Sequence, residues 1–364
     1  PGCYAFLPMK ILHVTPFYLP ATEWGGPVAS VAALARGQHE LGHEVTVLTT
    51  NSRGAPELPP HPAGEFSVDG GTVVYHHARL SRRYAFSASL VKDARRLVAD
   101  ADVVHLHGLW TWPVAAGARA CRRSRVPYVH SPRGMLMNWA MSQKSLKKRL
   151  YRFLVQDRNL MGAAALHCTS DQEHREIPSR YRNIPVVILP NPIAMDDLLH
   201  VSEVHPGPGP FRLLICGRIH PVKGFDRLIP ALGIVRRNGV DARLSVAGGD
   251  EGGYRDQVQR LAAEHQVSDA VEFLGNLDRE QLVHAYGRAA VLVMPSYQEN
   301  FGISAAEAMA AARPVITTPG VNIAGDIAAA GAGLVVAQDS DALAKAIVDL
   351  AADSTRSRAM GNQG

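Results

Sequence analysis

Two glutamates, Glu299 and Glu307, stand on either side of Asn300-Phe301-Gly302-Ile303. Residues 291–294 ahead of them are wholly apolar and read as a buried parallel strand. A polar loop follows, then an Ala-rich helix over residues 303–312, then a second strand at 314–318. Strand, loop, helix and strand make a βαβ unit. The first turn of its helix offers unpaired N–H groups at the positive end of the helix dipole, which suits a phosphate. Gly302 lets a ligand approach the backbone closely. At about 1.5 Å rise per residue, the two carboxylates cannot hold one atom. They suit a long ligand with phosphate between two hydroxyl-bearing ends. Glu307 sits among Ala305, Ala306, Ala308 and Met309, so a plain solvated helix face is a poor account of it.

Other chemistry-bearing residues fall at strand ends. Arg218 and Lys223 flank a strand-to-helix turn, where two cations can neutralise a diphosphate leaving group. Gly25 and Gly26 put bare backbone at the start of a helix over residues 27–41, as a second anion site or as an ordinary turn. His107 closes an apolar strand at its carboxyl end, where open α/β sheets place their sites, and His105 reads as structural. Arg133 follows a strand at 127–130, as a forked donor to an anion or as a surface-loop cation. Asp339-Ser340-Asp341 precedes a helix and reads as cap chemistry, and no metal is expected. Nothing marks the carboxylate that a double displacement would need.

These residues require frames to position them. Strands are expected at 10–14, 42–50, 73–77, 102–107, 164–170 and 186–190, with helices at 27–41, 90–99 and 112–123 between them. Residues 51–72 are rich in Pro and Gly and read as an irregular excursion. Residues 144–160 read as a helix with Leu146, Leu150, Phe153 and Leu154 on one stripe and Lys144, Lys147, Lys148, Arg149 and Arg152 elsewhere. The favoured reading is a stripe packed on the core, and the alternative is a helix resting on an anionic membrane. Residues 202–210 hold three Pro and two Gly and read as a linker. Strand-helix alternation restarts at Phe211, which predicts two domains, 9–195 and 196–364, each with a parallel sheet.

Composition bounds the function. A chain of 364 residues exceeds one ordinary core, and 46% hydrophobic with 20% charged residues is globular. A net charge of +5 admits a sugar nucleotide or an anionic surface as partner. No basic stretch is interleaved with aromatics and no zinc spacing occurs, so nucleic acid is not an expected partner. No apolar run reaches the roughly 18 residues of a membrane span. Cys3, Cys121, Cys168 and Cys216 lie far apart and read as reduced, mostly buried residues of a cytoplasmic protein. Residues 1–8 are too short for a signal peptide, and Met9 is the expected natural start. A dinucleotide dehydrogenase is disfavoured, because no G-x-G-x-x-G follows a first strand in either half.

The pair Glu299 and Glu307 with Phe301-Gly302 between them resembles the retaining glycosyltransferases of family 4, which have the GT-B fold. Gly217-Arg218 with Lys223-Gly224, the run His105-Leu106-His107-Gly108-Leu109-Trp110, and Gly25-Gly26 resemble the same family. The resemblance spans about residues 9–364, with its sharpest motifs in 211–318. It implies two Rossmann-like parallel-sheet domains facing a central cleft, the first for the acceptor and the second for the donor. It implies sugar transfer from a nucleoside diphosphate sugar to an acceptor, such as a glycan or a lipid-linked saccharide, in polysaccharide biosynthesis. It implies a hexosyltransferase that works by same-face attack, with the leaving phosphate helping to deprotonate the acceptor. Glu299 would then bond the donor sugar, Glu307 the ribose, and the backbone of Asn300, Phe301, Gly302 and Ile303 the diphosphate. Arg218 and Lys223 would hold the diphosphate and His107 would act at the sugar. Gly25 and Gly26 would approach the donor phosphate, and the backbone of Phe273 to Gly275 would face the base. No cofactor beyond the donor substrate is implied. The family's C-terminal crossover helix has no counterpart expected before Gly364. A sugar-nucleotide epimerase of the same fold and a non-catalytic nucleotide-sugar binding module remain as alternatives. The expected location is the cytoplasm, with peripheral contact at the inner membrane face as a further expectation.

Overall fold

The computed structural model describes residues 7–52, 61–78, 84–142, 151–202, 209–250 and 252–364. Cys3, Leu146, Leu150, the cations Lys144 to Arg149 and linker positions 203–208 lie outside the described residues. The chain forms two compact units, Pro1–Pro192 and Ile193–Gly364. Among the described residues, no helix is long and apolar enough to cross a membrane.

The first unit has strands β1 (Lys10–Val14), β2 (Glu44–Thr50), β3 (Gly64–Val68), β4 (Gly71–His76), β5 (Val103–His107), β6 (Tyr128–Ser131), β7 (Ala165–Cys168) and β8 (Val186–Ile188). They form one sheet in the order β3-β4-β2-β1-β5-β6-β7-β8. Its pairings are parallel except β3 with β4. Helices α1 (Gly26–Glu40), α2 (Leu90–Asp100) and α3 (Trp112–Ser124) complete the crossovers that parallel strands require.

Residues 64–68 were expected to be irregular, and the structure corrects this: they form β3, antiparallel to β4. The turn between them, Asp69-Gly70, has φ of 48° and 79°. That is the left-handed two-residue chemistry of a tight hairpin, so an Asp-Gly signal was present.

Side-chain alternation places the functional residues. Leu12 and Val14 join Val104 and Leu106 in a core that takes in α2 and α3 residues such as Ala94, Val98, Val114 and Ala118. His13, His105 and His107 therefore project to the other face of the sheet. On that face Val31 and Ala35 of α1 pack against Val45, Val47 and Val73.

One expected helix is corrected in detail. Residues Arg152–Gln156 form a π-helical turn, followed by a helical segment at Asp157–Met161. Phe153 is 75% exposed and Leu154 58% exposed, so these two do not pack on the core. A wider turn advances each side chain by less than an α-helix does, and a stripe drawn at a period of 3.6 leaves its face.

The second unit has strands β9 (Phe211–Cys216), β10 (Ala242–Ala247), β11 (Val271–Gly275), β12 (Val291–Met294), β13 (Val315–Thr317) and β14 (Gly333–Val335). They form a parallel sheet in the order β11-β10-β9-β12-β13-β14. Its helices are α4 (Asp196–Ser202), α5 (Phe225–Arg237), α6 (Tyr254–Glu264), α7 (Arg279–Arg288), α8 (Ile303–Ala310), α9 (Ala324–Ala330), α10 (Ser340–Ala352) and α11 (Ser354–Gly361). Alternation divides the strands between two cores. Leu213, Ile215, Val291 and Val293 join α5, α6 and α10 residues. Leu214, Cys216, Leu292 and Met294 join α7, α8 and α9 residues. Burial on both faces explains why these strands read as continuous apolar runs. Asp339 caps α10 by accepting from Ala342 N, as expected of Asp339-Ser340-Asp341.

Candidate active site

In the second unit, Lys223 closes a short 3-10 turn, Pro221–Lys223, which begins three residues after the exposed Arg218. Lys223 Nζ donates to Glu299 Oε1 at 2.6 Å, and Ser296 Oγ donates to the same oxygen at 3.3 Å. The pair is mostly shielded, with side-chain exposures of 13% and 21%. Two loops hold it. Tyr297 N donates to Val222 O at 2.8 Å, and Glu299 N donates to Gly320 O at 2.9 Å. Gly217 has φ of 133°, and a Cβ there would lie 2.7 Å from Lys223 Cε and Nζ. The lysine stem thus runs where any side chain at position 217 would sit.

Gly302, at φ of 92°, is the N-cap of α8, and Ile303 begins the helix. Phe301 packs into the core beneath α8. The Asn300 carbonyl accepts from Asn322 Nδ2 at 2.9 Å. The first turn of α8 therefore follows a loop that is braced from behind, with Glu299 at its start.

Glu307 lies one and a half turns further on and is only 7% exposed. Oε1 accepts from Arg279 Nη1 at 2.7 Å, and Oε2 accepts from Tyr286 Oη at 2.9 Å. Burial pushes its carboxyl above the usual range, and Arg279 and Tyr286 oppose that shift. Arg279 also donates to Asp197 Oδ2 and Oδ1 at 2.6 Å each and to Ala194 O at 2.7 Å. Sequence reasoning missed Arg279, Tyr286 and Asp197. A signal existed for Arg279: Asp278 and Gln281 form a capping box, which fixes Arg279 as the first residue of α7.

Phe273 carries the Arg255 guanidinium 4.6 Å from its ring centre and packs beside the α5 and α6 core. A base could meet this segment through backbone rather than through the Phe273 ring. Gly275 ends β11 at φ of 71°, and its carbonyl accepts from Gly248 N at 2.7 Å. A groove of about 560 Å³ between α7 and strands β9 to β11 is lined by Arg212, Glu272, His284 and Arg288 among others, and it takes in Leu274 of the segment expected to face the base.

In the first unit, Gly25 is the N-cap of α1 at φ of 83° and Gly26 its first residue, ahead of Pro27. His107 is 2% exposed at the end of β5. Both of its ring nitrogens meet protein groups: Nδ1 lies 3.1 Å from Arg133 Nη2, and Nε2 lies 2.9 Å from His13 Nδ1. A sugar hydroxyl would have to share or displace one of them. Burial pushes the His107 pKa well below its ordinary value, and His105 and Arg133 add to the shift. Arg133 is 9% exposed, which corrects the reading of a surface-loop cation. It donates to Ser30 Oγ at 2.8 Å and Asn191 Oδ1 at 3.1 Å. His13, His105 and His107 keep one ring nitrogen each within 4.8 Å of the others, a grouping the sequence reading did not foresee. His13 and His105 are register partners on adjacent strands.

Comparisons with known proteins follow the division into units. Residues 25–192 match the family described as "Glycosyl transferase 4-like domain", and residues 202–364 match "Glycosyl transferases group 1". A D-inositol 3-phosphate glycosyltransferase of Catenulispora acidiphila is 28% identical over 356 residues, covering 90% of this chain and 82% of that protein. The enzyme of the same name from Mycolicibacterium smegmatis is 29% identical over 377 residues, covering 93% of this chain and 78% of that protein. Among solved structures, Anabaena HepE in complex with UDP-glucose superposes with a TM-score of 0.72 at 18% identity, covering 98% of this chain and 93% of that one. The lipopolysaccharide glycosyltransferase WaaG superposes with a TM-score of 0.68 at 20% identity, covering 97% and 93%. With each unit matched by its own glycosyltransferase profile and the whole chain sharing the GT-B fold, the protein belongs to the family 4 type of glycosyltransferases.

Proposed function

We propose that the protein transfers a sugar, with retention, from a nucleoside diphosphate sugar to a hydroxyl of a small phosphorylated polyol or saccharide. The observation that carries this reading is the shielded Lys223–Glu299 pair ahead of the α8 N-terminus. Lys223, Arg218 and the first N–H groups of α8 would stabilise charge on the leaving diphosphate. Glu299 would accept from a sugar hydroxyl, Glu307 from the ribose, and His107 would contact the sugar. The bond from anomeric carbon to phosphate oxygen breaks with its electron pair going to phosphate. The acceptor oxygen bonds to the same face, and its proton passes to the departing phosphate oxygen. These fixed cations and dipoles supply charge stabilisation without a metal. Support for the donor comes from HepE, solved with UDP-glucose, and support for the acceptor from relatives named for D-inositol 3-phosphate.

A lipid-linked acceptor at a membrane surface is a second reading, favoured by one observation. Phe153, Leu154 and Met161 are all more than half exposed, in the segment that follows the basic run in sequence.

The test is release of nucleoside diphosphate from donor sugars, with D-inositol 3-phosphate, unphosphorylated inositol and lipid-linked saccharides in anionic vesicles as acceptors. Release that needs a phosphorylated polyol, with an α-linked product from an α-linked donor, is the expected result. Release that needs vesicles, and is lost in Phe153→Asp/Leu154→Asp, would favour the second reading. Inversion at the anomeric carbon would overturn retention, and an epimerised nucleotide sugar without transfer would favour an epimerase.

A further inference from the structure

Four side chains from four elements of the first unit form a single hydrogen-bonded line. Arg133 Nη2 meets His107 Nδ1 at 3.1 Å, His107 Nε2 meets His13 Nδ1 at 2.9 Å, and His13 Nε2 meets Gln38 Oε1 at 2.7 Å. Arg133 is in the loop after β6, His107 ends β5, His13 is in β1 and Gln38 is in α1.

The line has only one possible polarity when both rings are neutral. A guanidinium donates and cannot accept. His107 Nδ1 therefore accepts and carries no proton. A neutral imidazole has one N–H, so that of His107 is on Nε2 and donates to His13 Nδ1. By the same step, the N–H of His13 is on Nε2 and donates to the Gln38 carbonyl. Reversing the Gln38 amide would force His107 to accept at both nitrogens, which a neutral ring cannot satisfy.

A second line beside it obeys the same logic from the opposite end. The Leu189 carbonyl can only accept, so His167 Nε2 donates to it at 2.9 Å. His167 Nδ1 then accepts from His105 Nε2 at 3.2 Å. The two lines account for the grouping of His13, His105 and His107 without a metal. The facing nitrogens His13 Nδ1 and His107 Nε2 already share a hydrogen bond, and the Arg133 cation would repel a dication at this depth.

We infer that His13 and Gln38 are positioning residues for His107: the line from Arg133 to Gln38 holds His107 as the neutral tautomer with its proton on Nε2. The one N–H of His107 is then on Nε2 and already donates to His13 Nδ1, so its partner on the sugar is an oxygen that accepts and shares that proton with His13. The inference rests on the proposed role of His107 at the donor sugar. Both rings are buried, and burial depresses the pKa of each, to about 4 for His13, so the neutral forms persist at neutral pH.

Nitrogen-15 labelling of the histidines, read by long-range proton–nitrogen correlation on the whole chain at pH 7.5, tests the tautomers directly. Protonated Nε2 on both His13 and His107 is expected. A proton on His107 Nδ1, or an imidazolium at either residue, would overturn the assignment, as would one zinc per chain in the purified protein. Gln38→Leu and Gln38→Glu test the positioning role. Leucine keeps the bulk and removes the acceptor, whereas a carboxylate keeps an acceptor that cannot donate. Gln38→Leu should lower kcat about tenfold with donor KM changed less than about twofold, and Gln38→Glu should stay within about threefold of wild type. A packing role would rank the two variants the other way, and equal activity in both would also overturn the inference. If the wild type transfers sugar to no acceptor, the functional reading fails, and the nitrogen-15 spectra still decide the polarity of the line.

Discussion

Lys223 and Glu299 satisfy each other in a mostly shielded pair, which keeps the cation in place before any ligand arrives. An incoming diphosphate offers Lys223 more charge than one carboxylate does, and the released Glu299 is then free to accept from a sugar hydroxyl. Lys223→Ala should therefore weaken nucleoside diphosphate binding by about tenfold or more, or about 1.4 kcal/mol, in calorimetry. Unchanged affinity would remove Lys223 from that role. The histidines of the first unit carry a second residue-scale prediction. Burial lowers His13 and His130 from 6.5 to about 4, and His105, His107 and His167 shift in the same direction. The unfolded chain binds more protons than the folded one between these values, so stability is fully present above about pH 6.5. It should be lost as pH falls from about 6.5 towards 4, at roughly 1.4 kcal/mol per pH unit for each such group. Thermal unfolding followed by circular dichroism checks this, and a melting temperature that stays flat from pH 7 to pH 5 would contradict neutral buried imidazoles.

At the scale of elements, Arg279 has a role that its neighbours in sequence mark only through the capping box begun by Asp278. It starts α7, grips Asp197 of α4 with two hydrogen bonds and reaches Glu307 of α8 with a third. Three helices thus meet at one guanidinium, and a carboxylate that burial would otherwise discharge keeps a cation beside it. Arg279→Met retains the stem and removes the fork. It should cost about 1–2 kcal/mol in denaturant unfolding, a figure reduced because the side chain is 37% exposed. It should also weaken nucleoside diphosphate binding, since Glu307 then loses the partner that favours its ionised form. Retained affinity together with lost stability would assign Arg279 to structure alone. The same scale shows where reading the sequence succeeded. The strands β9 and β12 were legible because apolar runs bounded by glycine or proline leave few other assignments. The hairpin strand β3 escaped because the Pro-rich composition around it masked its Asp-Gly turn. The π-turn at Arg152–Gln156 escaped because a period of 3.6 was assumed throughout.

For the whole molecule, each unit has its own sheet with apolar clusters on its faces, and the nucleotide-binding residues proposed around Lys223 and Glu307 belong to the second unit. A nucleoside diphosphate at about 100 times its Kd should stabilise the protein by about 2.7 kcal/mol, visible as a raised unfolding midpoint. The double variant Arg218→Ala/Lys223→Ala should lose that gain, and a full shift in the variant would place the nucleotide elsewhere. The sequence by itself determined the two mainly parallel α/β sheets, the restart at Phe211 and the positions of Lys223, Glu299 and His107 at or just after strand ends, because alternation, glycine and chain order act locally. Only the tertiary structure decided which groups these residues meet. That Glu307 answers to Arg279, that His107 lies between Arg133 and His13, and that Arg133 is buried depend on contacts between residues 26 to 94 positions apart. Such contacts are set by which strands are neighbours and which face each side chain takes, and no local pattern records either one.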